Sequence, residues 1–282
     1  MKSPLVIQTD FGRGDGAVAA MYGVALDQDL DLKIYDLTHD IEPYNIRAAS
    51  WTLYQTIKYW PKSSVFISVV DPGVGSDRNS AVGLTESGHY VVSPNNGTFT
   101  HLKKHYGFAK IHEIDVSEYM RKDVGVSHTF HGRDLYARVG AKLAAGQIAI
   151  EDVGPILSVD QLREVDVPEA IETEDSIIGH FAMNDTHFGS IWTEIPFETF
   201  RLKFNPQYGE RFRVRIKDND VLIYENIIIF ARTFADVQVG QPLIFVNSLY
   251  SLSLALNQVG FLGSHLSVSG GNATIEFSRP SA

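Results

Sequence analysis

The chain has 282 residues, enough for one large domain or two ordinary ones, and its 44% hydrophobic and 21% charged content is typical of a globular protein. Its 34 acidic residues outnumber 24 basic ones, and the net charge of −10 argues against nucleic acid or an anionic membrane as the main partner. The absence of cysteine excludes a disulfide framework and thiolate chemistry. No apolar stretch is long enough for a signal peptide or a membrane span, so we expect a cytoplasmic protein.

The first 150 residues alternate between strand and helix patterns. Short apolar runs predict strands at residues 5–7, 32–37, 65–70, 81–84 and 90–92. The last two strands flank a turn at residues 86–89 and predict a hairpin. Helices are predicted at residues 17–26, 45–59 and 135–145, with Asp15 as a cap, Pro61 as a stop and Gly146 as a terminator. Successive strand–helix units indicate an α/β domain with a parallel sheet covered by helices.

The pattern changes after about residue 170. Short runs with turns between them predict strands at residues 212–216, 221–224, 242–246, 252–256 and 273–277. Such a series indicates an antiparallel barrel or sandwich. Pro155, Pro168 and clustered acids mark the boundary, so we assign residues 1–160 to an α/β domain, 175–282 to a β domain and about 161–174 to a linker.

Four acids lie at or just after predicted strand ends: Asp10, Asp36, Asp40 and Asp71. Ligands of open α/β sheets bind at this position, although such acids also cap helices and turns. Asp10 precedes a glycine-rich segment at residues 11–16, where a carboxylate commonly holds ribose hydroxyls. That segment is not a G-x-G-x-x-G fingerprint, so it gives little support for a dinucleotide.

Two loops supply the remaining polar groups. Asp71 and Arg78 frame a glycine-rich loop, and a second loop at residues 129–134 carries His131. An acid, a guanidinium and an imidazole on such loops can hold and polarise one small molecule, for instance a water. The alternative is that Asp71 is a turn residue with Arg78 as its surface partner and that His131 merely precedes a helix.

Other site chemistries have weaker support. His128 and His131 are one turn apart, but no other residues have metal-ligand spacing, and we predict no metal site. The sequence also lacks the G-x-S-x-G elbow and the P-loop, which disfavours a serine hydrolase or a P-loop nucleotidase.

Taken together, seven segments resemble one family. They are Thr9-Asp10-Phe11-Gly12, Asp36-Leu37-Thr38-His39, Asp71-Pro72-Gly73-Val74-Gly75, Pro94-Asn95-Asn96-Gly97, Thr129-Phe130-His131-Gly132-Arg133-Asp134, Phe188-Gly189 and Asn247-Ser248. Their order is similar to that in the adenosine-forming S-adenosyl-L-methionine (SAM) hydrolases. These enzymes are also called SAM hydroxide adenosyltransferases and are related to fluorinase and chlorinase. The resemblance covers nearly the whole chain.

The resemblance implies an N-terminal Rossmann-like α/β domain and a smaller C-terminal antiparallel β-barrel. It implies hydrolysis of SAM to adenosine and L-methionine, with SAM as substrate and no cofactor. It also implies a homotrimer or a dimer of trimers whose sites are shared between subunits. Halogenation at the same carbon, or binding of SAM or adenosine without turnover, remain alternatives.

The resemblance assigns the catalytic roles to Asp71, Arg78 and His131. Its substrate-binding positions are Asp10 for ribose, Asp15 and Asp185 near the methionine amine, Tyr44 and Phe234 as aromatic walls, and Phe188, Ser190, Asn247, Ser248, Leu256 and Gln258 on the methionine and adenine side. Two positions depart from the family pattern. Ser190 stands where relatives often carry asparagine, and Leu249 stands where halogenating relatives have an arginine for the methionine carboxylate.

Overall fold

The computed structural model describes residues 2–122, 129–185, 188–260 and 273–280. It divides into two compact units, Met1–Asp166 and Val167–Ala282. Within the described ranges, no helix is long and apolar enough to cross a membrane.

The N-terminal unit is built on a six-stranded sheet with the order β2-β1-β3-β5-β4-β6. Its strands are β1 (Leu5–Thr9), β2 (Ile34–Thr38), β3 (Val65–Val69), β4 (Ser80–Thr85), β5 (Tyr90–Pro94) and β6 (Phe108–Glu113). The strands β2, β1, β3 and β5 are parallel, whereas β4 and β6 run antiparallel to their neighbours. The predicted hairpin is present as β4–β5.

Within the described residues of this unit, five α-helices accompany the sheet. They are α1 (Ala17–Gln28), α2 (Ile46–Thr56), α3 (Thr100–His105), α4 (Val116–Tyr119) and α5 (Ala137–Ala145). One 3₁₀ turn (Ile57–Tyr59) extends α2, two more lie at Ile150–Asp152 and Val159–Gln161, and a π turn (Gly132–Tyr136) leads into α5. The Asn45 side chain caps α2 by accepting the Ala48 N–H at 2.9 Å, and Gly146 ends α5 with a left-handed φ of 70°.

Adjacent side chains of a strand point to opposite faces, and β1 shows how the sheet builds two core layers. Leu5 and Ile7 pack in the layer that contains buried residues of α1 and α5. Val6 packs on the other face, in the layer that contains Leu53 of α2. All five residues of β1 and of β3 are buried, so these two strands form a rigid floor beneath the loops at their ends.

The described part of the C-terminal unit has eight strands, and seven of them close into a β-barrel. Its strands are β7 (Ile171–Glu172), β8 (Ser176–Asp185), β9 (Ser190–Pro196), β10 (Arg211–Asp218), β11 (Val221–Phe230), β12 (Pro242–Val246), β13 (Ser251–Leu256) and β14 (Ala273–Ser278). The order β14-β10-β11-β12-β13-β9-β8 closes through pairing of β14 with β8, and β7 lies outside the ring. The predicted fold class is confirmed, with one correction: β11 and β12 pair in parallel.

Four phenylalanine rings meet in the barrel core among mainly aliphatic side chains. Helix α6 (Phe197–Phe204) contributes Phe200, which is fully buried. Its ring lies 4.7 Å from that of Phe212, 5.6 Å from Phe230 and 6.0 Å from Phe277, measured between centroids. The three partners come from three different strands, so one short helix holds much of the barrel together.

Candidate active site

The ends of β1 and β3 lie side by side, because the two strands are parallel neighbours with Thr9 paired to Val69. Asp10 and Asp71 therefore open their loops at the same edge of the sheet. A cavity of about 330 Å³ lies there, and its walls are Asp10, Phe11, Pro43, Tyr44, Val69, Asp71, Val74, Thr129, Phe130, His131 and Gly132. The structure thus brings together four of the predicted site residues: Asp10, Tyr44, Asp71 and His131.

Arg78 donates two hydrogen bonds to the Asp71 carboxylate. Its Nε lies 3.0 Å from Asp71 Oδ1, and its Nη2 donates to Oδ2. The Gly73 N–H also donates to Oδ1, at 3.2 Å. The side chains of Asp71 and Arg78 are 5% and 4% exposed, so this is a buried, forked ion pair and the surface-partner alternative is wrong. The pairing fixes the orientation of the carboxylate before any ligand arrives.

Tyr136 lies behind this ion pair. Its hydroxyl is 3.2 Å from Arg78 Nη1 and 2.8 Å from Ser80 Oγ, and its ring is fully buried. Burial raises the pKa of the Tyr136 phenol, against the lowering influence of Arg78 and Ser80, so the hydroxyl stays protonated. Tyr136 was not predicted from the sequence, because its partner Arg78 is 58 positions away and no local pattern signals such a contact.

A hydrogen bond from the backbone of Tyr44 orients the Asp10 carboxylate. The Tyr44 N–H donates to Asp10 Oδ2 at 2.9 Å. Tyr44 has a φ of 69°, a left-handed conformation that is uncommon for a residue with a side chain. This conformation aims the backbone N–H at Asp10 and leaves the ring 72% exposed beside the cavity. The arrangement offers a carboxylate oxygen and a flat apolar surface to a ligand.

A buried polar network fixes the loop that follows β1. His39, which is 1% exposed, lies 2.8 Å from Thr9 Oγ1 through Nδ1 and 3.0 Å from Asp36 Oδ1 through Nε2. Thr9 Oγ1 accepts the Phe11 N–H at 3.2 Å, and the His39 carbonyl accepts the Gly12 N–H at 2.8 Å. The loop beside Asp10 is therefore anchored to the end of β2.

Asp36 is the acceptor at the base of this network. Burial alone would raise the pKa of Asp36, but hydrogen bonds from Tyr22, His39 and Arg13 outweigh it, so the pKa lies below its ordinary value. Burial and the bond to Asp36 together raise the pKa of Tyr22 to about 12. Of the four strand-end acids, Asp36 thus supports the fold of the site, and Asp40 is exposed.

Asp15 has a local role in the structure. Its carboxylate accepts the Ala17 N–H at 2.8 Å in the first turn of α1. It is exposed and is not among the residues that line the cavity. Its assignment to the methionine amine stays a prediction.

The predicted residues of the barrel lie in its loops or at the ends of its strands. Asp185 is the last residue of β8 and accepts the Phe188 N–H at 3.1 Å, and Ser190 Oγ lies 3.4 Å from its other oxygen. Trp192 Nε1 donates to Ser190 Oγ at 3.2 Å. Phe188 is 77% exposed, so an aromatic surface stands free at the tip of this hairpin.

A second barrel loop is organised by Asn247. Its side-chain oxygen Oδ1 accepts the Leu249 N–H at 2.8 Å and its Nδ2 donates to Ser253 Oγ at 3.0 Å. Leu249 is buried and Ser248 is exposed. The remaining predicted residues also include buried and exposed side chains. Leu256 is buried, and Gln258 is exposed with a φ of 58°. Phe234 is 41% exposed, and the centroid of its ring lies 5.1 Å from that of Phe245.

Within residues 2–122, 129–185, 188–260 and 273–280, no group of three histidine or acidic side chains is placed to hold a metal ion. His128, the proposed partner of His131 in a metal pair, lies outside the described residues.

Comparisons with known proteins extend over both units. The family model of the SAM hydroxide adenosyltransferase N-terminal domain matches residues 5–154, and that of the C-terminal domain matches residues 179–273. A crystal structure of an uncharacterized conserved protein from Thermotoga maritima is similar with a TM-score of 0.88 and 33% identity, covering 98% of this chain and 100% of that one.

Relatives with enzyme names are also similar to this chain. The (R)-S-adenosyl-L-methionine hydrolase of Methanocaldococcus jannaschii is 38% identical over 165 residues, which is 57% of this chain and 60% of that protein. The (R)-S-adenosyl-L-methionine hydrolase of Salinispora tropica is 30% identical over 250 residues, 88% of each chain. Enzymes named fluorinase are among the further relatives.

Proposed function

Because the chain belongs to the SAM hydroxide adenosyltransferase family, we propose that it hydrolyses SAM to adenosine and L-methionine. One observation carries the proposal. The Asp71 carboxylate, held in a buried pair by the Arg78 guanidinium, lines the same cavity as Asp10 and His131.

The sulfonium of SAM is already a good leaving group, so the protein's task is to place a water in line with C5′, opposite the sulfur. The water oxygen forms a bond to C5′, the C5′–S bond breaks with its electron pair going to sulfur, and the proton that the water loses passes to Asp71 and from there to solvent. Holding the water at attack distance supplies much of the rate. Asp71 accepts a hydrogen bond from the water, and His131 and Arg78 fix it and stabilise the developing hydroxide.

Substrate binding is divided between the two units in this proposal. Asp10 accepts hydrogen bonds from ribose hydroxyls, and the exposed Tyr44 ring lies against the ligand. The exposed barrel groups, among them Phe188 and Ser248, cover the adenine and methionine side. Asp185 and Asp15 attract the methionine amine.

The resemblance also supports an oligomer, a homotrimer or a dimer of trimers, in which the α/β unit of one subunit and the barrel of the next form each site. Subunit exchange tests this directly. A chain with Asp71→Ala and a chain with Ser248→Ala and Asp185→Ala are mixed, and exchange should restore part of the activity. Mixed oligomers that form, stay folded and remain inactive would contradict the shared site.

Turnover is tested by incubating the protein with SAM and separating the products by chromatography. We expect adenosine and methionine in equal amounts, full activity after chelation, and one oxygen-18 label in the adenosine 5′-hydroxyl when the reaction runs in labelled water. Added chloride should give no 5′-chloro-5′-deoxyadenosine, because the anionic Asp71 repels a halide. A chlorinated product at a comparable rate would indicate a halogenase, and binding without products would indicate a binding protein.

A further inference from the structure

We propose that Tyr136 is a positioning residue for the reaction: its hydroxyl holds the Arg78 guanidinium in the orientation that presents Asp71 to the cavity. The inference rests on the function proposed above for this site. Tyr136 is not among the residues that line the cavity, so it acts through Arg78 and not on the substrate.

The hydrogen bonds of Arg78 divide between two edges of its planar guanidinium. Nε and Nη2 serve the Asp71 carboxylate, and Nη1 points to Tyr136 at 3.2 Å and to the Asn79 carbonyl at 3.5 Å. A guanidinium only donates, so the Tyr136 oxygen is the acceptor in this pair. The longer contact to Asn79 is a weak substitute, which leaves Tyr136 as the main support of that edge.

Ser80 completes the orientation of the phenol. Its Oγ lies 2.8 Å from the Tyr136 hydroxyl, which can donate its proton to Ser80 while accepting from Arg78. Both residues are buried, so water is poorly placed to replace either bond. Since its pKa is raised by burial, the phenol remains a fixed neutral dipole across the working pH range.

The backbone geometry explains why this tyrosine reaches Arg78. The π turn of Gly132–Tyr136 begins directly after His131 and is closed by a bond from the Ala137 N–H to the Gly132 carbonyl. The additional residue in a π turn rotates the residues after it by roughly a quarter turn relative to an α-helix. One irregular turn therefore carries His131 to the cavity wall and Tyr136 to the back of the Asp71–Arg78 pair.

The first test is Tyr136→Phe, which removes one oxygen and keeps the ring. Loss of a hydrogen bond to a charged group should lower kcat about tenfold. KM for SAM should change less than about twofold, because the substrate contacts are intact. A kcat within about twofold of the wild type would overturn the proposal.

Tyr119→Phe is the matched control. Tyr119 is also a buried tyrosine of the α/β unit, and its hydroxyl donates to the Asp152 carbonyl at 2.9 Å, away from the cavity. Both variants should lose similar thermal stability, and only Tyr136→Phe should lose turnover. Equal losses of kcat in both would mean that Tyr136 acts through stability alone.

A double-mutant cycle identifies the path. If Tyr136 acts through the guanidinium, Tyr136→Phe should lower kcat by less than about twofold in an Arg78→Lys background. If Tyr136→Phe lowers kcat by the same factor in the Arg78→Lys background as in the wild type, the inference is wrong. Should Tyr136→Phe fail to fold, Ser80→Ala takes its place because it frees the phenol from its second partner. A fall in kcat at constant KM then supports the role, and an unchanged kcat contradicts it.

One measurement does not depend on turnover. In protein labelled with ¹⁵N-arginine, the Arg78 signals are assigned by their loss in Arg78→Lys. Exchange of the Arg78 Nη1 protons with water should be about tenfold faster in Tyr136→Phe than in the wild type. If the wild type makes no adenosine, the proposed function is wrong. The exchange rate would still show whether Tyr136 holds the Arg78 guanidinium. Unchanged exchange would refute the positioning role even in an active enzyme.

Discussion

The polar residues assigned to the two units are held in different ways. In the α/β unit, Asp71 and Arg78 are buried and satisfy each other, and Asp10 is oriented by a backbone N–H. In the barrel, Asp185 and Asn247 are occupied with the backbone of their own loops, while Phe188 and Ser248 are exposed. Fixed groups beside a buried sheet suit chemistry that depends on orientation. Adaptable groups on loops suit recognition of the rest of a ligand.

The largest effect should come from the buried pair. Asp71→Asn should lower kcat by about 10³-fold, because a neutral amide replaces the anionic carboxylate that draws a proton from the attacking water. It should also cost about 3 kcal/mol of unfolding free energy, since Arg78 is left as an uncompensated buried charge. Steady-state kinetics and denaturant titration measure the two losses.

Asp134→Asn is the control for the Asp71 variant. Asp134 is 2% exposed and forms a forked pair with Arg133, at 2.6 and 2.7 Å. Asp134 is not among the residues that line the cavity. The Asp134→Asn variant should therefore lose stability and keep most of its turnover. Similar turnover losses in both variants would erase the distinction between a catalytic and a structural ion pair.

Ground-state binding should respond most strongly to Asp10. Asp10→Ala should weaken adenosine binding about thirtyfold while lowering kcat at saturating SAM much less, because ribose contacts exist before the transition state. Asp40→Ala removes an exposed strand-end acid and should leave affinity unchanged. Isothermal titration with adenosine checks both, and equal effects of Asp10→Ala and Asp71→Asn on adenosine affinity would reject the division of roles.

A smaller effect is expected in the barrel. Asp185→Ala should raise KM for SAM about tenfold with little change in kcat, because it removes the attraction for the methionine amine and the bonds to Phe188 and Ser190, none of which involves the reacting atoms. Glu198→Ala, which removes an exposed acid paired with Arg201 on α6, should leave KM unaltered. A loss confined to kcat in Asp185→Ala would assign that loop to the chemistry and remove the contrast between the units.

The smallest effect concerns the network beneath Asp10. The pKa of Asp36 is lowered in the folded state, so its contribution to stability is present above about pH 3.8 and is lost as the pH falls through the folded value. Asp36→Asn should therefore cost about 1 kcal/mol at pH 7 and flatten the acid limb of the stability curve. Parallel acid limbs for the variant and the wild type would show that Asp36 contributes nothing through its charge.

Much of the site edge was predictable from sequence. The apolar run of β1 ends three residues before Asp10 and that of β3 leads directly to Asp71, and parallel strands place such ends together. By contrast, β6 and β8 were not predicted. Lys110, His112 and Glu113 break the apolar run of β6, and Gly179 and His180 interrupt the pattern of β8.

The missed features share a physical cause, because their determinants are not local. The bond between Arg78 and Tyr136 joins residues 58 positions apart, and the parallel pairing of β11 with β12 depends on how the barrel closes. Tyr44 has a left-handed backbone conformation although it is not a glycine, so the sequence gives no signal for this conformation. Sequence patterns give the strand ends, whereas packing decides which side chains support one another across them.

The closure of the barrel by β14 has a consequence for synthesis on the ribosome. The α/β unit can fold once residue 165 has left the ribosome, because the Val165 N–H then reaches Thr100 Oγ1 and completes the described hydrogen bonds of this unit. The barrel must wait until Ser278 can pair with Ser176, roughly a hundred residues of chain later. Until then β8 and β10 each present an unpaired edge that can recruit a foreign strand. A ribosome that pauses before residue 273 would thus display a finished N-terminal unit followed by an open, aggregation-prone sheet.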